Sequence, residues 1–169
     1  MSYDLRLERL FDASPEAVFD AFVDPATQRE LHGGNQPDWI VHRCETDVRV
    51  GGTSVYVMGP SGQDPDTETR EYSVVDRPHR LVLRHSMDVA GWGRIIETEM
   101  TLTFEDVGGK TLLTMVQTGF EREDDRDEFL GKSGGGWPDY LDTLKAVVVS
   151  SKQLKARHDT DAEKGANDG

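Results

Sequence analysis

The segment EFLGKSGGGWPDYLDTL, residues 128–144, contains residue types that bind phosphate. Its Gly131-Lys132-Ser133 matches the end of a phosphate-binding loop, whose backbone amides and lysine surround a phosphate group. That loop also requires a glycine five positions earlier, where this chain has Arg126. The preceding residues, EREDDRDE, are mostly acidic and would repel phosphate. We therefore expect no nucleotide site, and interpret the glycines as a hinge before a helix that begins at Trp137.

Histidine and cysteine are common ligands of transition metals, and the chain has five histidines and one cysteine. The histidines are His32, His42, His79, His85 and His158. His42 and Cys44 lie two apart in a predicted strand, so they share a face and could supply two ligands. Because no third ligand is near them in sequence, we interpret them as residues that face a pocket or a neighbouring strand. The sequence predicts no metal and no cofactor.

Carboxylates are too numerous to identify a catalytic pair, since the chain has 32 acidic residues. Pairs such as Glu97 and Glu99 are most simply explained as the solvent face of an alternating strand. The sequence has no serine in a GxSxG turn, the usual signature of a nucleophile elbow. The sequence therefore assigns no catalytic residue.

Polar side chains on otherwise apolar strand faces are the more informative signal. His85 shares a predicted face with Leu83, and Gln117 shares one with Met115. Packing in an ordinary core explains any one of these residues, but burying a polar group without a partner is costly. An apolar face with a few inward polar groups is typical of a small-molecule pocket. The residues that we expect to line this pocket are Trp39, His42, Tyr56, Tyr72, His85, Met115, Gln117, Trp137 and Leu141.

The N-terminal third of the chain predicts one strand followed by two short helices. Residues 3–11 alternate apolar and polar side chains, as a half-buried strand does. Ser14 is a favourable helix N-cap and Pro15 fits the first helical position. A second such signal at Asp24-Pro25 predicts a helix that ends at Gly33-Gly34.

The middle of the chain, residues 38–119, has the two-residue period of strands separated by turn residues. The predicted strands cover residues 39–48, 53–58, 67–75, 80–87, 95–104 and 111–118. Because the helices lie only near the two ends, we predict an α+β fold with a curved antiparallel sheet of six to seven strands.

The C-terminal region predicts one long helix and then a tail. From Trp137 the apolar residues recur at helical spacing through Val148, which predicts an amphipathic helix that packs on the sheet. Residues 156–169 contain almost nothing to bury, so we expect a disordered acidic tail. We predict a single domain over residues 1–155.

The composition excludes several classes of partner. A net charge of −13 opposes binding to nucleic acid and to anionic membranes. The single cysteine, Cys44, excludes an intrachain disulfide and suits a reducing compartment. The N-terminus does not resemble a signal peptide, and no apolar run approaches transmembrane length. We therefore predict a soluble, cytoplasmic protein.

Four segments resemble, in order, those of the START-like (SRPBCC) superfamily, in particular the branch named for an activator of a heat-shock-chaperone ATPase. SPEAVFDAFVDPATQREL, residues 14–31, is similar to the branch's (A/S)PExVFxAFxDPxxL. The other three segments are DVRVGG (47–52), VVDRPHRLVL (74–83) and GWPDYLDTL (136–144). The resemblance covers about residues 3–150. It implies a helix-grip fold, a curved sheet around a long C-terminal helix with a cavity between them.

The sequence departs from the pattern of this branch at three places. His32-Gly33-Gly34 stands where tryptophan is frequent, and Arg70 stands where glycine often precedes an aromatic residue. Pro138 follows the Gly-Trp pair and could kink or restart the final helix. All three departures fall at the expected cavity mouth, so they bear on the choice of ligand.

Three functions remain open at this stage. The first is binding of a hydrophobic or amphipathic small molecule without catalysis, which the resemblance implies. The second is a cyclase or aromatase-like enzyme that uses His42 or His85 with an inward arginine, Arg84 or Arg94. The third is an interaction with a chaperone ATPase. The free edge of such a sheet would also allow a homodimer, and the sequence does not decide the oligomeric state.

Overall fold

The computed structural model describes residues 2–33 and 37–166 as seven strands and four helices. In chain order these are β1 (Tyr3–Phe11), α1 (Pro15–Val23), α2 (Pro25–Gly33), β2 (Trp39–Glu45), β3 (Thr53–Pro60), β4 (Asp66–Asp76), β5 (Arg80–Asp88), β6 (Ile95–Val107), β7 (Lys110–Phe120), α3 (Glu123–Leu130) and α4 (Gly136–Ala166). The strands form one antiparallel sheet in the order β1-β7-β6-β5-β4-β3-β2. The predicted α+β helix-grip architecture is confirmed. β1 and β2 are the two edges of the sheet, where a second copy could pair. The homodimer stays a prediction.

The two helices after β1 begin where the sequence predicts. Ser14 Oγ accepts a hydrogen bond from the backbone N–H of Ala17 at 3.3 Å, and Pro15 is the first residue of α1. Phe19 and Phe22 of α1 are buried and pack against Phe104 of β6. The second helix ends at Gly33 as predicted, and Gly34 lies outside the described residues.

A β-bulge in β4 decides which side chains of that strand point inward. The pairing with β5 shifts between Tyr72 and Val74. Glu68, Arg70 and Tyr72 are therefore buried on one face, whereas Val74 does not continue that face. Tyr72 and Val74 lie two apart but do not share a face, because the extra residue of the bulge changes the alternation.

The long helix α4 packs its apolar side chains on the concave side of the sheet. Its buried side chains Trp137, Leu141, Leu144 and Val148 are those of the predicted stripe. Pro138 lies in the first turn of α4, where its missing N–H costs no helical hydrogen bond. The helix continues to Ala166, where the sequence predicts a tail. Extending an existing helix is easy for residues such as Lys, Ala and Glu, which explains the difference.

The acidic segment before α4 forms a helix, α3, that the sequence analysis missed. Three carboxylates in its first turn interact favourably with the positive end of the helix dipole. Phe129 of α3 packs against Phe120 of β7 and Trp137 of α4, with ring centroids 5.3 Å and 6.2 Å away. Gly131 ends α3 in the left-handed conformation, with φ 81°. None of the helices in the described part of the chain is long and apolar enough to cross a bilayer.

The turn between α3 and α4 gives a prediction about its glycines. A Cβ on Gly136 would lie 2.6 Å from the carbonyl oxygen of Phe129, whereas one on Gly134 would meet nothing within 4 Å. Both residues have positive φ, 68° and 87°. We expect Gly134→Ala to lower the free energy of unfolding by about 1 kcal/mol, the cost of a left-handed conformation. Gly136→Ala is expected to lower it by more than about 2 kcal/mol, because the backbone must also move.

Urea denaturation of the two variants measures both changes. Equal losses would show that α4 does not begin in close contact with the end of α3.

Candidate functional site

A cavity of about 150 Å³ lies between the sheet and helices α3 and α4. Five elements and the start of α4 contribute to its wall. The lining residues are His32 (α2), Met58 (β3), Glu68 (β4), His85 and Met87 (β5), Phe129 (α3), and Gly136, Trp137 and Tyr140 (α4). Most of the wall is apolar, and its polar part consists of one carboxylate, two imidazoles and one phenol.

The carboxylate of Glu68 is buried in this wall and receives three hydrogen bonds. Its Oε1 lies 2.9 Å from Nε of Arg70 and 2.8 Å from Nε2 of His85. Its Oε2 lies 2.5 Å from Nε2 of His32. Burial raises the pKa of Glu68, but the charges of Arg70 and His32 outweigh this effect and hold the pKa well below its usual range. Glu68 is therefore ionised at neutral pH.

Arg70 is fully buried and lies beneath Glu68 in a cage of aromatic rings. Its guanidinium carbon lies 4.9 Å from the ring centroid of Tyr56, 5.1 Å from that of Phe22 and 5.8 Å from that of Tyr140. Burial lowers the pKa of Arg70, but the negative charge of Glu68 raises it by more, so the net shift is upward. The ion pair and the ring faces together replace the water that a buried guanidinium loses.

His32 connects α2 to this charged pair. Its Nδ1 lies 2.8 Å from the carbonyl oxygen of Gln28, and its Nε2 faces Glu68. A carbonyl oxygen and a carboxylate can only accept, so the ring donates from both nitrogens and carries a positive charge. The ring also stacks on Tyr56, with centroids 4.2 Å apart.

Gln28 joins α2 to α4 behind His32. Its Oε1 accepts a hydrogen bond of 2.7 Å from the hydroxyl of Tyr140, and its Nε2 donates to the carbonyl oxygen of Phe22. Burial raises the pKa of Tyr140. The tyrosine therefore stays neutral and donates, which fixes the start of α4 over the cavity.

His85 lies between the charged pair and the apolar wall. Its side chain is 1% exposed, and its Nε2 faces Glu68. The ring packs edge-on against Phe129 and Trp137, with centroids 5.8 Å and 5.5 Å away. Its Nδ1 has no hydrogen-bond partner among the described residues. Nδ1 of His85 is therefore a buried polar atom without a partner, packed behind the apolar part of the wall.

Gln117 belongs to a separate network that orients Trp137. Its Oε1 accepts a 2.7 Å hydrogen bond from the indole N–H of Trp137, and its Nε2 donates to Oγ1 of Thr98 at 2.7 Å. Because both ends of the amide are used, Gln117 positions the wall of the cavity and does not face its interior.

The structure brings only part of the expected pocket residues together. His85 and Trp137 line the cavity. Tyr56 stacks on the ring of His32. The hydroxyl oxygen of Tyr72 lies at hydrogen-bond distance, 2.7 Å, from Oγ of Ser54. Met115, Gln117 and Leu141 are also buried, but they do not line the cavity.

Two expected residues of β2 lie outside the cavity wall. His42 is exposed, and Trp39 is half-buried. The pairing of β2 with β3 shifts between Val41 and Arg43, so His42 sits at an irregularity of an edge strand. The expected inward position of His42 is therefore corrected.

The arginine that points into the interior is Arg70. The enzyme hypothesis expected Arg84 or Arg94 in this place. Arg84 is exposed and pairs with Glu97 at 3.1 Å, and Arg94 pairs with Asp125 of α3. Arg70, Glu68, His32 and Tyr140 are the site residues that the sequence analysis missed. The available signal was that Glu68, Arg70 and Tyr72 lie two apart on one strand, so that two opposite charges share a face with an aromatic ring.

The charged cluster is unsuited to a metal ion. The described residues contain no group of three His, Cys, Asp or Glu side chains placed to bind one. The Arg70 guanidinium lies 2.9 Å from the carboxylate that would be the central ligand, and it would repel a cation. His42 and Cys44 do not form a site either, since Cys44 Sγ faces the carbonyl oxygen of Pro25 at 3.4 Å while His42 is exposed.

Comparison with known proteins identifies relatives of this fold. The family model described as activator of Hsp90 ATPase homolog 1-like protein matches residues 12–149. No curated protein is similar enough in sequence to match. A solved structure from Rhizobium leguminosarum has a TM-score of 0.72 at 22% identity, covering 89% of this chain and 96% of its own.

Two further solved structures show the same fold. A protein of Chromobacterium violaceum has a TM-score of 0.67 at 25% identity, over 86% of this chain and 96% of its own. The protein CalU16 of Micromonospora echinospora has a TM-score of 0.57 at 20% identity, over 95% of this chain and 85% of its own. At these identities the likeness concerns the fold.

The buried cluster gives a prediction about stability. Glu68→Gln removes the charge that compensates Arg70 and His32, and leaves buried positive charge unpaired. We expect a loss of about 3–5 kcal/mol in the free energy of unfolding at pH 7, measured by urea denaturation. Glu97→Gln is the control, because its pair with Arg84 is exposed, and we expect a change within about 0.5 kcal/mol.

The same pair of proteins tests the ionisation of Glu68. Its pKa in the folded protein lies below the ordinary value of 4.5, so its contribution is complete above that value and is lost as the pH falls through the folded pKa. The difference in stability between wild type and Glu68→Gln should therefore shrink as the pH falls below 4.5. A difference that grows on acidification would show that Glu68 is protonated in the fold.

Proposed function

Because the chain belongs to the family of activator of Hsp90 ATPase homolog 1-like proteins, we propose that it binds a small amphipathic molecule in the cavity between the sheet and α4. The observation that supports this proposal is the composition of the cavity wall. Met58, Met87, Phe129 and Trp137 offer apolar surface. The polar part of the wall comes from His32, Glu68, His85 and Tyr140. A concave apolar surface with few polar groups is typical of small-molecule sites.

The size of the cavity restricts the ligand. Sites for drug-sized molecules measure about 300–1,000 Å³, and this cavity measures about 150 Å³. An apolar protein cavity of roughly 150 Å³ holds benzene. We therefore propose a ligand of about one aromatic ring, smaller than a lipid or a polycyclic compound.

A larger depression of about 650 Å³ between α1 and α4 is a weaker candidate. It lies on the outer side of α1, and short or polar side chains such as Ser14, Asp20 and Lys152 line much of it. It contains none of the buried charges or aromatic rings described above. The cavity beside Glu68 and His85 is therefore the better supported site.

Binding of a ring-sized apolar probe tests the proposal. Toluene bound to the folded state stabilises it by RT ln(1 + [L]/Kd), about 2.7 kcal/mol at a concentration of 100 Kd. We expect this to raise the melting temperature of wild type by about 5 °C or more, measured by thermal denaturation in sealed cells. In Met87→Trp the larger side chain should fill the cavity and abolish the rise.

Val107→Trp is the matched control, because Val107 is 47% exposed and does not line the cavity. We expect this variant to keep the response of wild type. If toluene does not raise the melting temperature of wild type, or raises that of Met87→Trp equally, the cavity does not bind such ligands.

Acid–base catalysis is a second candidate function, which the pairing of His85 with Glu68 favours. In many active sites a carboxylate accepts a hydrogen bond from one imidazole nitrogen. The other nitrogen then takes a proton from the substrate. The Nδ1 of His85 would be that base once the side chain turns it from its buried position towards the cavity. Removal of a proton next to the carbonyl group of a ring-sized ketone is the simplest such reaction.

Hydrogen–deuterium exchange tests this catalysis. We expect wild type in D2O to accelerate exchange at the carbons beside the carbonyl group of cyclohexanone, followed by proton NMR. His85→Gln should lose at least about 100-fold of this acceleration, since a positioned base contributes about 10²–10⁴-fold. His42→Gln is the control, because His42 is exposed, and it should match wild type. Absence of exchange above buffer would exclude this reaction and leave the binding proposal intact.

A role in chaperone binding stays a prediction. The large apolar side chains that the structure exposes lie on three strands and one loop. They are Leu10, Ile40, Val50, Ile95 and Val107. This scattered arrangement does not favour a docking surface over the cavity. The cytoplasmic location also stays a prediction.

A further inference from the structure

Helix α3 covers one end of the cavity with few apolar contacts. Its only apolar side chains belong to Phe129 and Leu130, and both residues are half-buried. The one buried residue of the helix carries a carboxylate, Asp125. A segment with little buried apolar surface belongs to the part of a fold that opens most easily. Because Phe129 lines the cavity, a movement of α3 would change the access to it.

An ion pair joins α3 to the loop between β5 and β6. Nη2 of Arg94, in this loop, donates a hydrogen bond to Oδ1 of Asp125. The guanidinium carbon of Arg94 lies 5.0 Å from the ring centroid of Trp92, which packs against the core. Nε of Arg94 is buried and has no hydrogen-bond partner among the described residues. The link between the loop and Asp125 is therefore one hydrogen bond between charged groups.

The surroundings of this ion pair leave room for movement. A hollow of about 90 Å³ lies between the beginning of α3 and the beginning of β6. After the helix, Gly134 and Gly135 have positive φ, and a side chain at either position would meet nothing within 4 Å. Small residues of this kind absorb the backbone rotation of a hinge, and the sequence predicts a hinge here. On the side of β1, Arg126 of α3 donates to the carbonyl oxygen of Asp4 at 3.2 Å.

We propose that α3 is a lid over the cavity, and that the ion pair between Arg94 and Asp125 is its latch. When the pair separates, α3 turns away from the β5–β6 loop while its contact with β1 holds. Phe129 then moves away from Met87, and a ring-sized ligand passes between them. The role in ligand passage rests on the proposed binding function, whereas the movement of α3 requires no ligand.

The latch controls the rate of ligand exchange and leaves the affinity nearly unchanged. The pair is closed in the free protein and in the complex, so its free energy cancels in the Kd. Opening requires the pair to separate, and we expect its loss to speed opening about tenfold. A factor of ten corresponds to about 1.4 kcal/mol, close to the contribution of a hydrogen bond to a charged group.

Hydrogen–deuterium exchange of backbone amides tests the movement in protein without ligand. In wild type we expect the hydrogen-bonded amides of α3 to exchange at least about tenfold faster than those of β6 and β7. Asp125→Asn should accelerate exchange in α3 about tenfold further. Asp127→Asn is the matched control, because Asp127 pairs with Arg126 and Lys132 and has no link to the loop. If α3 of wild type exchanges as slowly as β6 and β7, it opens only with the whole fold, and the lid is excluded.

Exchange of toluene between solution and the cavity tests the passage of the ligand. With toluene labelled with ¹³C at the methyl group, NMR exchange spectra give both rates. In Asp125→Asn we expect association and dissociation to be about tenfold faster, with a Kd within about twofold of wild type, and in Asp127→Asn no change. Equal acceleration in both variants, or none in Asp125→Asn, would overturn the latch. If toluene does not bind to wild type, the proposed function fails, and amide exchange still decides whether α3 opens.

Discussion

The elements around the cavity depend on one buried carboxylate, that of Glu68. It receives hydrogen bonds from its own strand through Arg70, from β5 through His85 and from α2 through His32. Arg70 in turn contacts Tyr140 at the start of α4. An ionised group in an apolar interior costs several kcal/mol unless its partners are in place. The positions of α2, β4, β5 and α4 are therefore linked through one charge.

The same cluster explains why the cavity is small. In a helix-grip fold the space for a ligand lies between the sheet and the long helix, and here Arg70 fills part of that space. Its guanidinium lies within 5.8 Å of the ring centroids of Phe22, Tyr56 and Tyr140. The volume that remains, about 150 Å³, lies on the other side of Glu68, between Met58, Met87 and Trp137. Arg70, the residue that departs from the branch pattern, thus limits the cavity to about the size of one ring.

The sequence predicted the elements better than the site, for physical reasons. Alternation and capping are local, so all seven strands, the pair of helices and the apolar stripe from Trp137 to Val148 follow from short windows. The bulges at His42 and between Tyr72 and Val74 change which side chains face inward, and no local pattern shows them. The partners of Glu68 come from positions 32, 70 and 85, and only the folded chain brings them together. His85 and Trp137 were found because each interrupts or begins an apolar pattern.

The location of Tyr140 has a consequence for the order in which the chain acquires its structure. Glu68, Arg70 and His85 leave the ribosome well before α4, so during synthesis their charges are still hydrated. Tyr140 closes the ring cage of Arg70 and bonds to Gln28, and Trp137 covers His85. During synthesis, removal of water from these charges therefore waits for the C-terminal helix. The cavity wall includes Trp137 and Tyr140, so the cavity is complete only after α4 has been synthesised.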